Sequence, residues 1–458
     1  MVTINSALYI GRDALMTQQL AISVTGQNIA NVNTNGYSRQ RVNLESTVIL
    51  SAEGSVGTGV KAKGIERIYD RFLNAHINEE IQQKGRWEAQ NQSLQQTEII
   101  FDQSSGDGLS QHMSLFWNSW QDLTLIPSGY SERKALLTAS DDMASNFHEK
   151  FSYLDQIQKD MDGTITTATG EINSLASQIS NLNDKIVMME MSGSAANDFR
   201  DQRDVLMNQL SENINYTASE DSAGRVTLTL GDGNALVGYP PFGKLTTDVN
   251  ADIVWDSPPS TSINSSISAG KLKGWMEVRD SLVPEYKDRL DTLARQIIQE
   301  VNPIHAAGQG LDGSTGIDFF SGNSASTIQV NPVVLNDVNK IAAAAGSISP
   351  DLIRGDNTQA IAISGLQNKL TMEGNSATFD TYFNFLISRA GSDVRNASLN
   401  LEHHTMTVEE MDNFRESVSG VSLDEEMVNL VKFQQGYSAA AKLVDTVKQM
   451  MDTVINMV

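Results

Sequence analysis

The sequence predicts a mainly α fold with a β-rich insertion: terminal helices that form a coiled coil, a long helical bundle, and a small β domain inserted between bundle helices. All nine prolines lie between Pro127 and Pro350, so both ends of the chain can form long helices without an internal break. Apolar residues recur every seven positions at each end, which is typical of a coiled coil. Around position 228, apolar and polar residues alternate, which indicates strands.

The N-terminal helix carries a seam of apolar residues at heptad spacing, Leu8, Leu15, Ile22 and Ile29, which we call the N-terminal seam. Alanines beside these residues allow a partner helix to approach closely. Gly11 and Gly26 each weaken the helix by about 1 kcal/mol relative to alanine. The asparagine-rich run 31–36 ends the helix, because asparagine and glycine favour turn conformations.

The middle of the chain predicts further helices around residues 75–100, 131–158, 198–213 and 376–400. Three-four spacing of apolar residues over 165–189 and 286–301 adds two more, and together these helices predict a bundle. Val226, Leu228 and Leu230 alternate with threonines before the turn at 231–234, which indicates a β-hairpin.

The C-terminal helix carries a second seam with alternating three-four spacing. Its two rows are Leu423, Leu430, Tyr437, Val444, Met451 and Val458, and Phe433, Ala440, Val447 and Val454. Ser422 followed by Glu425 predicts a capping box at the start of the helix, and acidic residues there favour the positive helix end. We call these residues the C-terminal seam.

These patterns divide the chain into three predicted domains. Residues 1–44 and 416–458 form the terminal coiled-coil domain, residues 45–215 and 273–415 form the helical bundle, and residues 216–272 form the β-rich domain. A second irregular stretch, 305–355, is expected to pack beside the β-rich domain.

Composition excludes several classes of function. The net charge of −23, from 33 basic and 56 acidic residues, repels nucleic-acid phosphates and anionic lipid headgroups, so we expect neither nucleic acid nor membrane insertion. No stretch approaches about 18 consecutive apolar residues, the length of a membrane span. The chain has no cysteine, which excludes thiolate metal sites, cysteine nucleophiles and disulfides.

Catalytic and ligand signatures are weak throughout. His403 and His404 are adjacent and so point in different directions on a helix, without a histidine or carboxylate four residues away to complete a metal site. The loop Asp312–Asp318 lacks the order of acidic residues that a calcium loop needs. We therefore predict no catalytic residue, no cofactor and no metal, and we expect that the chain is not an enzyme.

The two seams are the functional candidates, and the pattern alone leaves two interpretations open. The terminal helices could simply pair within one folded chain. However, about 36 helical residues from Leu423 span roughly 54 Å, and ten apolar side chains left in water forfeit on the order of 15 kcal/mol. Length and apolar area thus favour helices that stay unfolded in the free chain or that neighbouring subunits cover.

Two terminal motifs resemble a known family. Gly26–Asn31 leads into Thr34–Gln40, and Gly420–Met427 spans the start of the C-terminal seam. Both are similar to the signatures of the flagellar axial proteins, which comprise rod, hook and hook-associated proteins. Ser38, Arg39 and Gln40 favour the hook-associated branch, because rod and hook proteins typically continue with a lysine after the aromatic residue. The family-motif residues are Asn28, Asn31, Gly36, Tyr37, Ser38, Arg39 and Gln40.

The resemblance implies a structural subunit that assembles as a ring at the hook tip and joins hook to filament. It implies an inner layer of terminal helices, a helical middle layer and residues 216–272 as a small outer β domain. After Phe320 this sequence lacks the long insertion that many relatives carry, so a further outermost domain is not expected.

The resemblance also implies partners and a location. The partners are further copies of the chain, flagellar hook protein, hook-associated protein 3, and a cytoplasmic export chaperone that holds the C-terminal helix. The location is the extracellular flagellum, reached by type III export without a cleaved signal peptide. The alternatives are a rod or hook axial subunit, or a secreted coiled-coil binding module.

Overall fold

The computed structural model describes residues 4–51, 54–101, 108–240, 243–258, 261–346, 349 and 352–456. Its α-helices are α1 (Ile4–Ala30), α2 (Arg71–Ile100), α3 (Leu109–Leu125), α4 (Tyr130–Met191), α5 (Asn197–Asn213), α6 (Lys271–Glu277), α7 (Val283–Ala307), α8 (Pro332–Asn336), α9 (Thr358–Ser364), α10 (Phe379–Ser419) and α11 (Leu423–Ile455). Its strands are β1 (Gln40–Ser51), β2 (Gly54–Arg67), β3 (Thr217–Glu220), β4 (Val226–Thr229), β5 (Ala235–Val237), β6 (Leu245–Thr247), β7 (Ile253–Trp255), β8 (Gly308–Gln309), β9 (Phe320–Ser321), β10 (Gln329–Val330) and β11 (Ala344–Ala345).

The chain is 66% helical with a few small sheets, which confirms the predicted fold class, mainly α with a β-rich insertion. A π-helical stretch, Val278–Leu282, joins α6 directly to α7. Short 3-10 helices cover Asn264–Ser266, Val338–Lys340 and Gly365–Asn368. Helix α4 is one continuous element of 62 residues, whereas the sequence suggested two separate helices over the same stretch.

Two hydrophobic cores lie along α4, which is about 93 Å long at 1.5 Å per residue. The first core packs α3, the first half of α4, α7 and α10 around the segment 317–345. Aromatic rings fill it: Trp120 lies 5.2 Å from Phe319 between ring centroids, and Phe116 lies 5.6 Å from Phe320. The second core packs the other half of α4 against α5, α6 and the strands β3–β7.

The β-rich insertion forms two small antiparallel sheets, β3-β4-β5 and β6-β7. Val226 and Leu228 point into the second core, and the threonines between them are half-buried, as the alternation in the sequence predicted. The expected turn at 231–234 connects β4 to β5, and Gly233 adopts a φ of +85° there, a conformation that glycine reaches without steric strain.

The structure differs from the sequence analysis in two irregular segments. The stretch 305–355 does not share a core with the β-rich insertion, because its buried residues, among them Phe319, Ile328 and Val334, lie in the first core. The hairpin β1–β2 was not predicted at all, and its residues were assigned to the helical bundle. Its register shifts at Asn43/Leu44 and Thr47/Val48 interrupt the two-residue alternation by which a strand is recognised.

The helices α1 and α11 form an antiparallel pair that we call the terminal helix pair. Asn28 contacts Glu426, Gln18 lies against Gly436, and Gly11 lies against Val444. The residue numbers therefore run in opposite directions along the two helices. The hairpin β1–β2 follows another side of α1, from Gln40 beside Asn28 to Gly59 beside Ile10.

Candidate assembly site

Glycine allows the close approach of the terminal helices. A Cβ atom added to Gly11 would lie 2.6 Å from Cγ2 of Val444, so only a hydrogen fits between the backbone of α1 and this side chain. From the sequence alone, Gly11 was expected only to weaken the helix. Gly26, by contrast, has no atom within 4 Å of such a Cβ, and it carries no packing role.

The predicted seams lie partly inside the terminal helix pair and partly outside it. Ala440 and Val447 are buried, whereas Leu423, Tyr437 and Val454 are exposed. The other seam residues are half-buried: Leu8, Leu15, Ile22, Ile29, Leu430, Phe433, Val444 and Met451. Val458 lies outside the described residues. The structure thus pairs the two helices within one chain, which was the simpler of the two interpretations, and it leaves part of the seam uncovered.

An apolar face remains exposed on the pair, and we call it the exposed face. Its large apolar residues are Tyr9, Met16, Leu423, Met427, Val428, Val431, Tyr437, Leu443, Met450, Val454 and Ile455. These residues lie on more than one side of α11, and so many large exposed apolar side chains on two paired helices indicate a surface for protein association. Most of these residues lie outside the heptad rows that the sequence analysis selected.

A buried polar joint connects the terminal helix pair to the rest of the chain, and Asn28 is its centre. The Asn28 amide donates to the Gln40 carbonyl oxygen at 2.8 Å and to Glu426 Oε2 at 2.9 Å. Its oxygen accepts from the Tyr37 hydroxyl at 2.8 Å and from the Gln40 backbone N–H at 3.0 Å. Every donor and acceptor of this almost fully buried amide is therefore satisfied.

Arg39 links the joint to both ends of the connection between α10 and α11. Its Nε donates to Glu426 Oε1 at 2.8 Å, and its Nη1 donates to Glu425 Oε2 at 2.8 Å. Its backbone N–H donates to the Ser419 carbonyl at the end of α10. The predicted capping box is therefore wrong: the Ser422 side chain makes no capping hydrogen bond, and Glu425 pairs with Arg39 instead.

Helix α5 holds the other side of the joint. Asp201 accepts from the Ser38 backbone N–H at 3.1 Å and from Arg67 Nη1 at 2.7 Å. Asp198 accepts from the Gln40 amide at 2.9 Å. Burial raises the pKa of Asp201, although the Arg67 guanidinium favours its charged form. Four segments of the chain, α1, the base of the hairpin, α5 and the start of α11, thus meet at one point.

Tyr37 and Gly36 shape the turn that enters the joint. Burial, together with the carboxylates of Asp198, Asp201 and Glu426, raises the pKa of Tyr37, so its hydroxyl stays protonated as a donor to Asn28. Gly36 adopts a φ of +76°, and a Cβ there would lie 2.2 Å from Cγ2 of Val205.

Asn31 closes the end of α1, where its amide donates to the Gln27 carbonyl at 2.9 Å and its oxygen accepts from the Thr34 hydroxyl. All seven family-motif residues therefore lie in or directly beside the polar joint. Sequence reasoning missed their partners. Glu426 was considered only as a charge near a helix end, while Asp198, Asp201 and Arg67 carry no local signal because they meet the motif only in the folded chain.

Carboxylate and histidine side chains near the site have structural partners. A groove of about 700 Å³ lies between the turn 31–37 and helices α4 and α5, but its carboxylates, Asp198 and Asp201, accept hydrogen bonds from the chain's own groups. His404 is not simply a surface residue, since its Nδ1 lies 2.7 Å from Glu80 Oε2 on α2. Within the described residues, no three His, Asp or Glu side chains are arranged to hold a metal ion.

In the part of the chain that the structure describes, no helix has the length and apolarity of a membrane span. Three family models match the sequence. Residues 94–320 match the flagellar hook-associated protein FlgK helical domain, residues 416–457 match the C-terminal domain of the flagellar basal body rod FlgEFG proteins, and residues 8–37 match the flagella basal body rod protein family.

Relatives align over nearly the whole chain. Flagellar hook-associated protein 1 of Bacillus subtilis is 29% identical, with 98% of this chain and 97% of the relative covered. The protein of the same name from Salmonella typhimurium is 25% identical, with 96% and 98% covered.

A solved structure supports the fold. That of the flagellar hook junction protein FlgK from Burkholderia pseudomallei has a TM-score of 0.67, at 14% identity, with 75% of this chain and 100% of that chain covered. The chain is a structural protein of the flagellar hook-filament junction, and over nearly its whole length it is similar to flagellar hook-associated protein 1.

Proposed function

We propose that copies of the chain associate through the exposed face of the terminal helix pair into a ring at the hook tip, which joins hook to filament. The observation that carries this proposal is the exposed face itself, a set of large apolar side chains on two helices that already pair with each other. Burying those side chains between subunits would contribute roughly 1.5–3 kcal/mol for each fully buried residue.

The seam residues divide between two roles in this proposal. Leu423, Tyr437 and Val454 are exposed and contact neighbouring subunits. The buried and half-buried residues of both seams keep α1 and α11 together and so keep the exposed face in place. The polar joint, built from the family-motif residues, fixes this pair relative to the bundle. The predicted division into terminal helices, helical bundle and outer β domain at 216–272 is kept in this assembly, except that the hairpin β1–β2 lies along α1 and not in the bundle.

The further partners of the chain also belong to the proposal. Flagellar hook protein lies below the ring and hook-associated protein 3 above it. Before export, a cytoplasmic chaperone covers the C-terminal helix, because its apolar residues would otherwise associate prematurely. The subunit leaves the cell by type III export, and it performs no catalytic step.

A pair of valine substitutions tests the exposed face. Val431 on α11 is 50% exposed, and Val249 in the β-rich insertion is 99% exposed. Because both side chains reach solvent, Val431→Asp and Val249→Asp should both leave the melting temperature of the purified subunit unchanged within about 2 °C. Only Val431→Asp should abolish assembly, since an unpaired carboxylate buried between subunits costs several kcal/mol.

The readout is electron microscopy of cells that produce each variant, with the secreted protein measured separately. Val431→Asp should give hooks without filaments, whereas Val249→Asp should give normal flagella. Normal filaments with exported Val431→Asp would show that this face does not mediate assembly.

A further inference from the structure

Methionine is the only sulfur-containing residue of the chain, which has 17 methionines and no cysteine. Six of them are buried in or beside the cores: Met113, Met143, Met161, Met207, Met276 and Met372. Outside the cores, the described residues include two exposed groups, and also Met406 on α10, which is 55% exposed. One is on the terminal helix pair and comprises Met16, Met427 and Met450, which are 64%, 60% and 52% exposed. The other is Met188, Met189 and Met191 at the end of α4.

The first group belongs to the exposed face. Met427 lies one helical turn from both Leu423 and Val431, and Met450 lies one turn from Val454, all of which are exposed. On α1, Met16 lies two turns from the exposed Tyr9. The thioethers therefore supply part of the apolar surface that the proposed ring buries.

A peroxide converts such a thioether to a sulfoxide. The O–O bond breaks, one oxygen atom is transferred to sulfur, the sulfur is oxidised by two electrons, and the peroxide is reduced to water or an alcohol. The product side chain is polar and chiral, which disrupts methionine-rich contacts. Reaction rate follows exposure, so the exposed thioethers react before the six buried ones.

We propose that Met16, Met427 and Met450 form an oxidation-sensitive modification site, at which a peroxide converts the subunit from an assembly-competent to an assembly-incompetent form. This inference rests on the proposed function of the exposed face. It also implies that assembly protects the three thioethers, because neighbouring subunits then cover them. The group at the end of α4 lies outside the face and is the internal control.

Purified full-length subunit, added to cells that lack the chain, tests the site by the number of filaments that grow. Three proteins are compared with and without prior treatment by hydrogen peroxide: the unchanged chain, a Met16→Leu, Met427→Leu, Met450→Leu variant, and a Met188→Leu, Met189→Leu, Met191→Leu variant. Leucine conserves the volume and apolarity of methionine. Mass spectrometry of peptides determines which thioethers have been oxidised.

We expect peroxide to lower the filament count roughly tenfold for the unchanged chain and for the α4 variant, because polar sulfoxides resist burial. The variant of the exposed face should give the same count with and without peroxide, whatever its untreated count is. Methionine sulfoxide reductase should restore the activity of the treated unchanged chain, and this second measurement does not depend on any substitution.

Three outcomes would contradict the account, and they are distinguishable. If untreated unchanged subunit supports no filaments, the proposed function fails. If the unchanged chain is fully oxidised at the three positions and still supports normal filaments, only the modification site fails. Equal sensitivity of both leucine variants would place the damaging oxidation elsewhere, and this too would overturn the inference.

Discussion

The terminal helix pair and the first core are both helical, but they bury their side chains in different ways. The first core is closed by aromatic rings from α3, α10 and the segment after α7, and its central residues are inaccessible to solvent. In the helix pair, a glycine contact and a polar joint bring the helices together, while large apolar residues stay exposed. One region is complete within the chain, and the other has a surface left for neighbours.

The largest effect on the helix pair is expected from the buried carboxylate of the joint. Glu426→Ala removes the buried carboxylate that accepts from both Arg39 Nε and the Asn28 amide, so it should destabilise the pair by about 3–5 kcal/mol. Glu425→Ala removes the other carboxylate that Arg39 contacts, but that group is largely exposed, so about 0–1 kcal/mol is expected.

The stability of the terminal helix pair in both variants is measured by hydrogen exchange of α1 and α11, compared with that of α3 and α7. Exchange should accelerate in the terminal helices of the Glu426→Ala protein alone, while the first core stays protected. Equal effects of the two substitutions would mean that the buried joint does not hold the pair.

The stability of the first core should depend on pH because His305 can take up a proton. Its Nδ1 lies 2.7 Å from the Ile317 carbonyl oxygen, and its Nε2 accepts from the Ala342 N–H at 2.9 Å, an arrangement that fits only the neutral ring with a proton on Nδ1. Burial, with a smaller effect of the nearby Arg133 cation, lowers the pKa of His305 from 6.5 to about 4.

The unfolded chain therefore binds a proton more readily than the folded one as the pH falls below 6.5. Stability is complete above this pH and decreases down to about pH 4, by a total on the order of 3 kcal/mol. His305→Gln removes this ionisation, so denaturant unfolding from pH 7 to 4 should show a shallower loss than in the unchanged chain. The same pH dependence in both proteins would exclude His305 as its cause.

A smaller effect distinguishes the two glycines of α1. Gly11→Ala forces a Cβ against Val444, and this overpacking should cost about 1–3 kcal/mol, partly offset by a better helix propensity. Gly26→Ala meets no neighbour and should stabilise α1 by up to about 1 kcal/mol. Thermal melts followed by circular dichroism, in which the terminal helices are resolved, would compare the stability of the two variants. Stabilisation by both changes would contradict the close contact at Gly11.

Features that depend on local periodicity could be predicted from the sequence, whereas contacts between distant residues could not. Long helices, among them the paired terminal helices, and the alternation of β4 follow from local periodicity, and the structure has these elements. The buried joint does not follow, because Asn28, Asp201 and Glu426 come from distant parts of the chain. The hairpin β1–β2 was missed because its bulges break the alternation. The family motif could be quoted from the sequence, but its role as a joint required the fold.

The central claim is that the terminal helix pair keeps an apolar face that only neighbouring subunits cover. Because the chain has no cysteine, Val431→Cys and Val249→Cys each introduce one thiol, and labelling with a maleimide measures its accessibility. We predict that both thiols react in the free subunit, and that in intact flagella only the thiol at position 431 is protected. Equal labelling of the two positions in assembled flagella would contradict the account.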